Sequence, residues 1–436
     1  MNKSNKQHNK VISMKKLNGK KLLILGASNN EIDVVKMAKE LGCYAIVTDY
    51  YDSWEENPAK YVADEVWHIS WSDTEALENK CRENDINGVI GGFSEFRVEA
   101  MIDLCERLGL PCYITREQLE VTRDKDLFKK LCKKFGVPVV NEYAPDDHNI
   151  VFPVIIKPTD RGGSIGINVA YNADEYKRNL EYAYSMSPSK KVVVEDFIGD
   201  GVKFDCSYAI VDGEPILIET CDTTMLSKEK GHETLQKAWT FPSSHEKEYI
   251  EQVDRQVKSM LNSLGMRYGV ANISFFYREG HFYVFETGFR LGGGHSFDYQ
   301  RMTRGIDYLQ MLIHHAVGEP INIDTSIPEE RGVAVTYNIY INAKMGDTLN
   351  ELIGENEVME MPGVATFMKC MYKGQVWNSE KPSKILMITL CAANVDDLIA
   401  KVQFVNNRMK VSSSNLIYPI FAELTEEEII KAYNIN

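Results

Sequence analysis

The residues best suited to chemistry are a lysine and the glycine-rich loop that follows it. Residues 154–158 read Val-Ile-Ile-Lys-Pro, an apolar strand that carries Lys157 toward the interior. An ammonium group there needs an anionic partner, because its desolvation is costly. Backbone N–H groups of a glycine loop can approach an anion closely, because glycine has no Cβ. The pattern predicts a phosphate site; a strand, a turn and a surface lysine are the alternative. The loop contains Arg161, Gly162, Gly163 and Ser164.

The elements that position this lysine belong to a chain of alternating strands and helices. Residues 18–115 alternate apolar strands with helical patterns, which predicts a small doubly wound α/β domain with a parallel sheet. Asp49 ends the second strand and fits either a ribose-binding acid or an ordinary strand end. The glycine pattern after the first strand is not G-x-G-x-x-G, which favours the second interpretation.

The rest of the chain predicts a mixed core and a tail. A helix over 116–135 precedes a hairpin around the glycine loop, and a strand over 192–198 leads into a glycine-containing linker. Two further hairpins and a second glycine-rich stretch at 288–294 follow. From about residue 331, alternating strands and one helix predict a compact α+β domain.

Composition limits the class of protein. A chain of 436 residues suggests two to four domains. The formal net charge of −14 argues against a nucleic-acid or anionic-membrane binder, and no apolar run is long enough to cross a bilayer. The first ten residues are polar, unlike a signal peptide. Nine scattered cysteines without a C-x-x-C pair favour reduced thiols in a cytoplasmic protein and no zinc site.

Several motifs follow one another in an order that resembles the ATP-grasp superfamily. Lys125 opens a helix, Lys157 ends a strand, Glu195 lies in the linker strand, and Glu286 and Arg290 follow a later strand. The resemblance covers roughly residues 20–320 and is closest to the branch of biotin carboxylase, carbamoyl-phosphate synthase and carboxylate–amine ligases. It implies an α/β protein with an amino-terminal doubly wound pre-ATP-grasp domain (18–115), a two-lobed ATP-grasp core (116–325) and an α+β carboxyl-terminal domain (326–436).

The resemblance also implies a nucleotide site. Lys125 would reach the α-phosphate region of ATP, Lys157 the α- and β-phosphates, and the glycine loop would close over the β- and γ-phosphates. Glu195 and Ile198 would hold the adenine, although a core strand end explains them equally well. Without the family order, Lys125 reads as a solvent-exposed helix lysine. The same helix also carries Lys129, Lys130, Lys133 and Lys134.

A metal site is implied by the family motif E-x-N-x-R, which Glu286 and Arg290 match. Glu286 would bind Mg²⁺, a cation that prefers hard oxygen ligands near phosphate. Arg290 would hold the transferred phosphoryl group. An exposed acid and a structural arginine are the alternative.

The chain departs from the family at three positions. Gly288 replaces the metal-binding Asn, Ser274 replaces a Glu or Gln, and Lys203 falls near the acid that holds the ribose. Lys203 therefore remains a candidate nucleotide contact, and Glu286 is the one strong metal ligand. His295 follows three glycines and fits a substrate contact or a packed histidine equally. Residues 227–233 fit a loop over the site or, somewhat better, a plain solvated loop.

These features predict an ATP-dependent ligase. A small-molecule carboxylate would take the γ-phosphoryl group to form an acylphosphate, which an amine would then attack. ATP and Mg²⁺ are the expected cofactors, no nucleic-acid or membrane partner is expected, and a homodimer is an arrangement that the resemblance allows. A non-catalytic nucleotide-binding or regulatory protein and a kinase acting on an alcohol are the alternatives.

Overall fold

A computed structural model describes residues 16–159, 165–199, 201–226, 235–304, 306–321 and 332–434, except for the side chains of residues 298 and 302–304. The chain divides into two compact units. The first comprises Met1–Tyr113 and His295–Gly332, and the second comprises Ile114–Gly294 and Val333–Asn436. No helix of the described residues is both long enough and apolar enough to span a membrane.

The strands, in chain order, are β1 (Lys21–Leu25), β2 (Tyr44–Thr48), β3 (Glu65–Trp67), β4 (Gly88–Ile90), β5 (Glu142–Tyr143), β6 (Val154–Pro158), β7 (Asn168–Ala170), β8 (Val192–Asp196), β9 (Val202–Val211), β10 (Glu214–Met225), β11 (Gln236–Phe241), β12 (Gly269–Arg278), β13 (His281–Gly288), β14 (Val333–Ile341), β15 (Leu349–Ile353), β16 (Val364–Lys369), β17 (Ser383–Ala392), β18 (Lys410–Ser413) and β19 (Ile417–Pro419).

The helices are α1 (Glu31–Glu40), α2 (Ala59–Val62), α3 (Thr74–Glu83), α4 (Glu95–Leu108), α5 (Arg116–Arg123), α6 (Lys125–Phe135), α7 (Ala173–Met186), α8 (Glu246–Tyr249), α9 (Arg255–Ser263), α10 (Phe297–Arg304), α11 (Tyr308–Ala316), α12 (Glu355–Met359), α13 (Val395–Arg408) and α14 (Glu426–Ala432). A π-helical turn, Ile250–Asp254, joins α8 to α9.

The first unit contains a four-stranded parallel sheet in the order β3-β2-β1-β4. Strands β1, β2 and β4 are largely apolar and mostly buried, as expected for a parallel sheet whose connections are helices, whereas the edge strand β3 is half-buried. Helix α4 begins at Ser94, whose hydroxyl accepts from the N–H of Arg97, and ends at Gly109 in a left-handed conformation (φ 67°). The α/β alternation predicted for this region is confirmed.

The second unit is built on a large antiparallel sheet in the order β13-β12-β9-β10-β11-β14-β17-β16. Strands β14, β16 and β17 come from the last quarter of the chain, and they extend this sheet through the pairing of β11 with β14. A smaller sheet, β5-β8-β6-β7, carries the linker strand and Lys157, and β15-β18-β19 form a third sheet. A buried aromatic cluster packs on one face of the large sheet. It consists of Phe204, Phe275, Phe282 and Tyr249.

Candidate functional site

Helix α6 directs two of its lysines to one side. Asp124 caps the helix, because its Oδ1 accepts from the N–H groups of Asp126 and Leu127, both at 2.9 Å. Lys125 and Lys129 are four residues apart and therefore lie on the same face. Lys129 is buried together with Phe128 and Cys132 on the face that packs inward. The other three lysines of the helix, Lys130, Lys133 and Lys134, are exposed.

Glu195 joins two lysines in the interior of the smaller sheet. Strands β6 and β8 are antiparallel neighbours, with Ile155 opposite Glu195. The Glu195 carboxylate is buried, and its Oε2 accepts from Lys157 Nζ at 2.7 Å. Its Oε1 pairs with Lys129 Nζ, and Lys129 Nζ also lies 2.8 Å from Glu142 Oε2. Acids and bases therefore alternate from Glu142 through Lys129 and Glu195 to Lys157.

Burial and pairing oppose one another in this group. Burial alone raises the pKa of Glu195, but the charges and hydrogen bonds of Lys157 and Lys129 outweigh it and hold the pKa below its ordinary value. Burial also lowers the pKa of Lys129, and the charges of Glu195 and Glu142 reverse that effect, so its pKa is raised. Glu195 and Lys129 are therefore both charged at neutral pH.

Lys125 is different from Lys129. Within the described part of the chain, its ammonium group has no ion-pair partner and its side chain is partly buried. Burial lowers its pKa, and the neighbouring Lys157 charge lowers it further, while Glu286 and Glu195 act in the opposite direction. Of the two cations Lys125 and Lys157, Lys125 lacks a direct ion pair among the described residues. A bound anion would stabilise both charges.

A second row of polar side chains crosses the large sheet. Register places Glu286 of β13 opposite Ser274 of β12, and Ser274 opposite Asp205 of β9. The hydroxyl of Ser274 donates to Asp205 Oδ1, while Thr223 Oγ1 donates to Asp205 Oδ2 at 3.3 Å. Directly paired residues share a face of a sheet, so the two carboxylates lie on the same side of the sheet, on either side of Ser274.

Glu286 is exposed, although its apolar neighbours in the sequence suggested a buried pattern. The physical reason is its position on β13, the edge strand of the sheet, next to a register shift between Ser274 and Phe275. Among the described residues its carboxylate has no hydrogen-bond or ion-pair partner. It is close enough to Lys125 to affect the pKa of that lysine. The exposed carboxylate is available to a ligand.

Asp205 was not identified from the sequence. Its Oδ2 lies 3.6 Å from Lys203 Nζ, so the lysine that replaces the expected ribose-binding acid has an acid as its direct partner. The Lys203 ammonium group also lies 6.0 Å from the centre of the Phe285 ring. The available signal was strand alternation, since residues 203 and 205 are two apart on one strand and share a face.

Arg290 is partly buried, and Ile198 is buried. The carbonyl oxygen of Arg290 accepts from Asn272 Nδ2 at 2.5 Å, which fixes the backbone just after β13. Ile198 is buried at the end of the linker strand, and its carbonyl accepts from the N–H of Gly201 at 3.2 Å. Arg161, Gly162, Gly163 and Ser164, and the stretch 227–233, lie outside the described residues.

His295 belongs to a separate cluster in the first unit. It is buried, with Nδ1 2.7 Å from Asp33 Oδ2 and Nε2 2.8 Å from Asn30 Oδ1, and its ring stacks on Phe93. These contacts favour the packed histidine over the substrate contact. Asp49 is likewise buried, 3.4 Å from the buried Lys60 Nζ, which supports an ordinary strand end.

Comparison with known proteins relates this chain to a known family model and to curated relatives. Residues 104–311 match the family model described as "D-ala D-ala ligase C-terminus". The chain is 24% identical over 272 residues to the carbamoyl phosphate synthase large chain, C-terminal section, of Methanocaldococcus jannaschii. The aligned part is 59% of this chain and 43% of that relative, so the chain spans less than half of the relative's length.

Solved structures show the same fold over nearly the full chain. The L-amino acid ligase of Bacillus licheniformis has a TM-score of 0.73 at 19% identity, covering 91% of this chain and 100% of the ligase. The biotin carboxylase domain of the 2-oxoglutarate carboxylase of Hydrogenobacter thermophilus, bound to MgADP, ADP and bicarbonate, has a TM-score of 0.74 at 19% identity. The superposition covers 95% of this chain and 93% of that domain. Residues 104–311, just under half of this chain, are therefore similar to the ATP-grasp domain that this family model describes. The resemblance identified from the motif order is confirmed.

Proposed function

We propose that this protein is an ATP-dependent ligase of the ATP-grasp type. It converts a small-molecule carboxylate to an acylphosphate, which an amine attacks to form a carbon–nitrogen bond with release of ADP and phosphate. Two of the proteins with the same fold are a ligase of amino acids and a carboxylase domain bound to MgADP. Activation of this kind is required because a free carboxylate is a poor electrophile, and an acylphosphate divides one hard step into two easier ones.

One observation carries the proposal: Lys125 has no ion-pair partner among the described residues, and the charges of Lys157 and of the exposed Glu286 are near enough to act on its pKa. A nucleotide with Mg²⁺ supplies the matching charges, because its phosphates satisfy the lysines and its cation satisfies the carboxylate. The pKa of Lys125 is lowered by burial first and then by the charge of Lys157, and an anion bound near both lysines would offset both effects.

The residues present fit Mg²⁺ as well as ATP. Among the described residues no group of three or more His, Cys, Asp or Glu side chains could hold a metal ion unaided. Mg²⁺ in phosphoryl-transfer sites is held by one or two carboxylates together with phosphate oxygens, so Glu286 is sufficient as the principal protein ligand. ATP supplies the phosphoryl group and Mg²⁺ neutralises part of its charge.

The protein contributes position and charge. Lys157 and Lys125 bind the phosphates, and Arg290 stabilises the negative charge of the transferred phosphoryl group. The loop that contains Arg161, Gly162, Gly163 and Ser164 covers the β- and γ-phosphates and excludes water. The linker at Glu195 and Ile198 holds the adenine. Both carboxylate oxygens of Glu195 are paired with lysines, and its backbone lies between β5 and β6 in the sheet, so the base would meet the linker beyond this residue, at Ile198.

Incubation of the protein with ATP, Mg²⁺ and pooled carboxylates and amines tests the reaction. Phosphate release that requires both pools supports the ligase. ADP formed together with a phosphorylated alcohol would favour the kinase. Nucleotide binding without turnover would favour a regulatory protein, the second candidate, which is motivated by Ser274 and Gly288 in place of the usual metal ligands.

The proposed setting follows from the same features. The proposed partners are a small carboxylate and a small amine. The proposed assembly is a homodimer. A cytoplasmic location is consistent with the cysteines, because the structure describes all nine as free thiols. Size-exclusion chromatography with light scattering measures the assembly.

A further inference from the structure

One lysine of α6 is set apart from its neighbours. The side chain of Lys129 is 7% exposed, whereas that of Lys130, the next residue on the same helix, is 71% exposed and pairs with Asp126 across one turn. A buried lysine is uncommon because desolvation of its charge is costly, and it persists only where anionic partners compensate. Lys129 has two such partners, Glu195 and Glu142.

The position of Lys129 changes the charge that Lys157 presents. Glu195 has one oxygen on Lys129 and the other, at 2.7 Å, on Lys157. With Glu142 included, two ammonium groups and two carboxylates balance, and Lys157, at the end of this row, shares its one carboxylate with Lys129. With Lys157 as its only partner, Glu195 would neutralise that lysine in a one-to-one ion pair, and a phosphate would have to compete with the carboxylate.

We propose that Lys129 is a positioning residue for nucleotide binding. It shares the Glu195 carboxylate, so that Glu195 fixes the Lys157 ammonium group in place without cancelling its charge toward the nucleotide phosphates. The inference rests on the proposed ATP site and adds to it a residue that does not itself touch the nucleotide. Glu142, on the far side of Lys129, completes the support because its Oε2 accepts from the same ammonium group.

The test is a charge cycle in the full chain. Lys129→Met removes the shared cation. The Kd for a non-hydrolysable ATP analogue, measured in the presence of Mg²⁺, should rise by about tenfold, as expected for a lost charge effect of about 1.4 kcal/mol. Lys129→Met combined with Glu195→Gln leaves Lys157 with its full charge and should bind the analogue more tightly than Lys129→Met alone. Lys129→Arg keeps the charge and should bind like the wild type. Lys130→Met is the matched control on the same helix.

A purely structural role predicts a different pattern. In that case Lys129→Met would lower the melting temperature but leave the Kd of the folded fraction unchanged, and that result would overturn the proposal. Failure of the double variant to recover affinity while it remains folded would also overturn it. If the wild-type chain itself does not bind the analogue, the ATP site is wrong, which is a result distinct from both. Where turnover is measurable, KM for ATP should rise in Lys129→Met while kcat stays close to the wild-type value.

Discussion

Each of the two units contains a cluster of buried charges. The two clusters differ in how many of these charges have a partner of opposite sign. In the first unit, Arg97 Nη1 lies 2.5 Å from Glu31 Oε1, and Glu31 Oε2 accepts from the N–H and the hydroxyl of Ser28. His295 is held between Asp33 and Asn30. These charges are matched inside the unit. Burial raises the pKa of Glu31, and the charge of Arg97 and the hydrogen bonds from Ser28 oppose that shift.

The cluster of the second unit is matched at one end only. Glu142, Lys129, Glu195 and Lys157 alternate in charge, but Lys125 has no ion-pair partner in the described chain, and Glu286 is exposed. We propose that this difference distinguishes a structural cluster from a binding cluster. A matched set of charges stabilises the fold, whereas a partly unmatched set leaves charge for a ligand, at some cost to stability.

Removal of Lys157 should have the largest effect. Lys157→Ala takes away a charge-assisted phosphate contact worth about 1.5–3 kcal/mol, so nucleotide affinity should fall by at least about tenfold, beyond measurement if the contact is stronger. Isothermal calorimetry with an ATP analogue measures it, with Lys177→Ala on the exposed face of α7 as control. An unchanged affinity in the folded variant would mean that the phosphate site is misplaced.

Loss of Glu286 should come next. Glu286→Gln keeps the shape of the side chain but removes the charge, and it should raise the Mg²⁺ concentration required for binding or turnover by at least about tenfold, the range seen even for residues that only support a metal ligand. Titration of Mg²⁺ against nucleotide measures the change. Equal metal dependence in variant and wild type would contradict a catalytic metal here.

A gain-of-ligand variant sharpens the same point. A Cβ at Gly288 would have as its nearest neighbours the Cγ and Nε of Arg290 at 3.7 Å, which is ordinary contact, so Gly288→Asn fits the backbone. We expect this variant to keep its fold and to bind Mg²⁺ more tightly, so that a lower Mg²⁺ concentration is required for nucleotide binding or turnover. Loss of turnover without a change in stability would show that Gly288 serves another purpose.

The glycine loop provides a kinetic test. Gly163→Val should slow turnover by about 5- to 30-fold while the melting temperature changes little, because a β-branched residue loses about 1–2 kcal/mol wherever a positive φ is needed and would add bulk to the loop that we propose closes over the phosphates. The turnover rate and the melting temperature are compared in the same preparation. A variant that melts much earlier but turns over normally when folded would make the loop structural.

The matched cluster should respond in the opposite manner. His295→Leu removes partners of Asp33 and Asn30 and should lower the free energy of unfolding by about 1–3 kcal/mol, with no change in nucleotide affinity for the folded protein. Urea denaturation and calorimetry on the same samples separate the two quantities. A fall in nucleotide affinity without a fall in stability would return His295 to the list of candidate ligand contacts.

The smallest expected effect is a pH dependence of stability from His314. This residue is fully buried on α11, and burial lowers its pKa, although the carbonyl of Pro320 and the charge of Glu319 act in the opposite direction. The folded state therefore resists protonation. Stability should be constant above pH 6.5 and decline as the pH falls below it, with a slope of at most about 1.4 kcal/mol per pH unit from this one group. Urea denaturation between pH 5 and 8 should show a flatter profile for His314→Leu.

The order of motifs along the chain was sufficient to predict the superfamily and the α/β alternation. Lys157 lies at the end of an apolar strand next to a glycine-rich loop, and Glu286 lies near the end of a later strand. Such features depend on hydrophobic periodicity and on the residue types that a phosphate and a cation require, which are local properties of a sequence. The roles of the individual site residues and the domain boundaries stay predictions.

Only the tertiary structure decided which charges are matched. The five lysines of α6 look alike in the sequence, but Lys129 alone is paired with the buried Glu195, which lies on a strand 66 residues away. Asp205 meets Ser274 through strand register, and His295 meets Asp33 across 262 residues. The physical reason is that the state of a buried charge depends on contacts between distant segments, which local residue patterns do not specify.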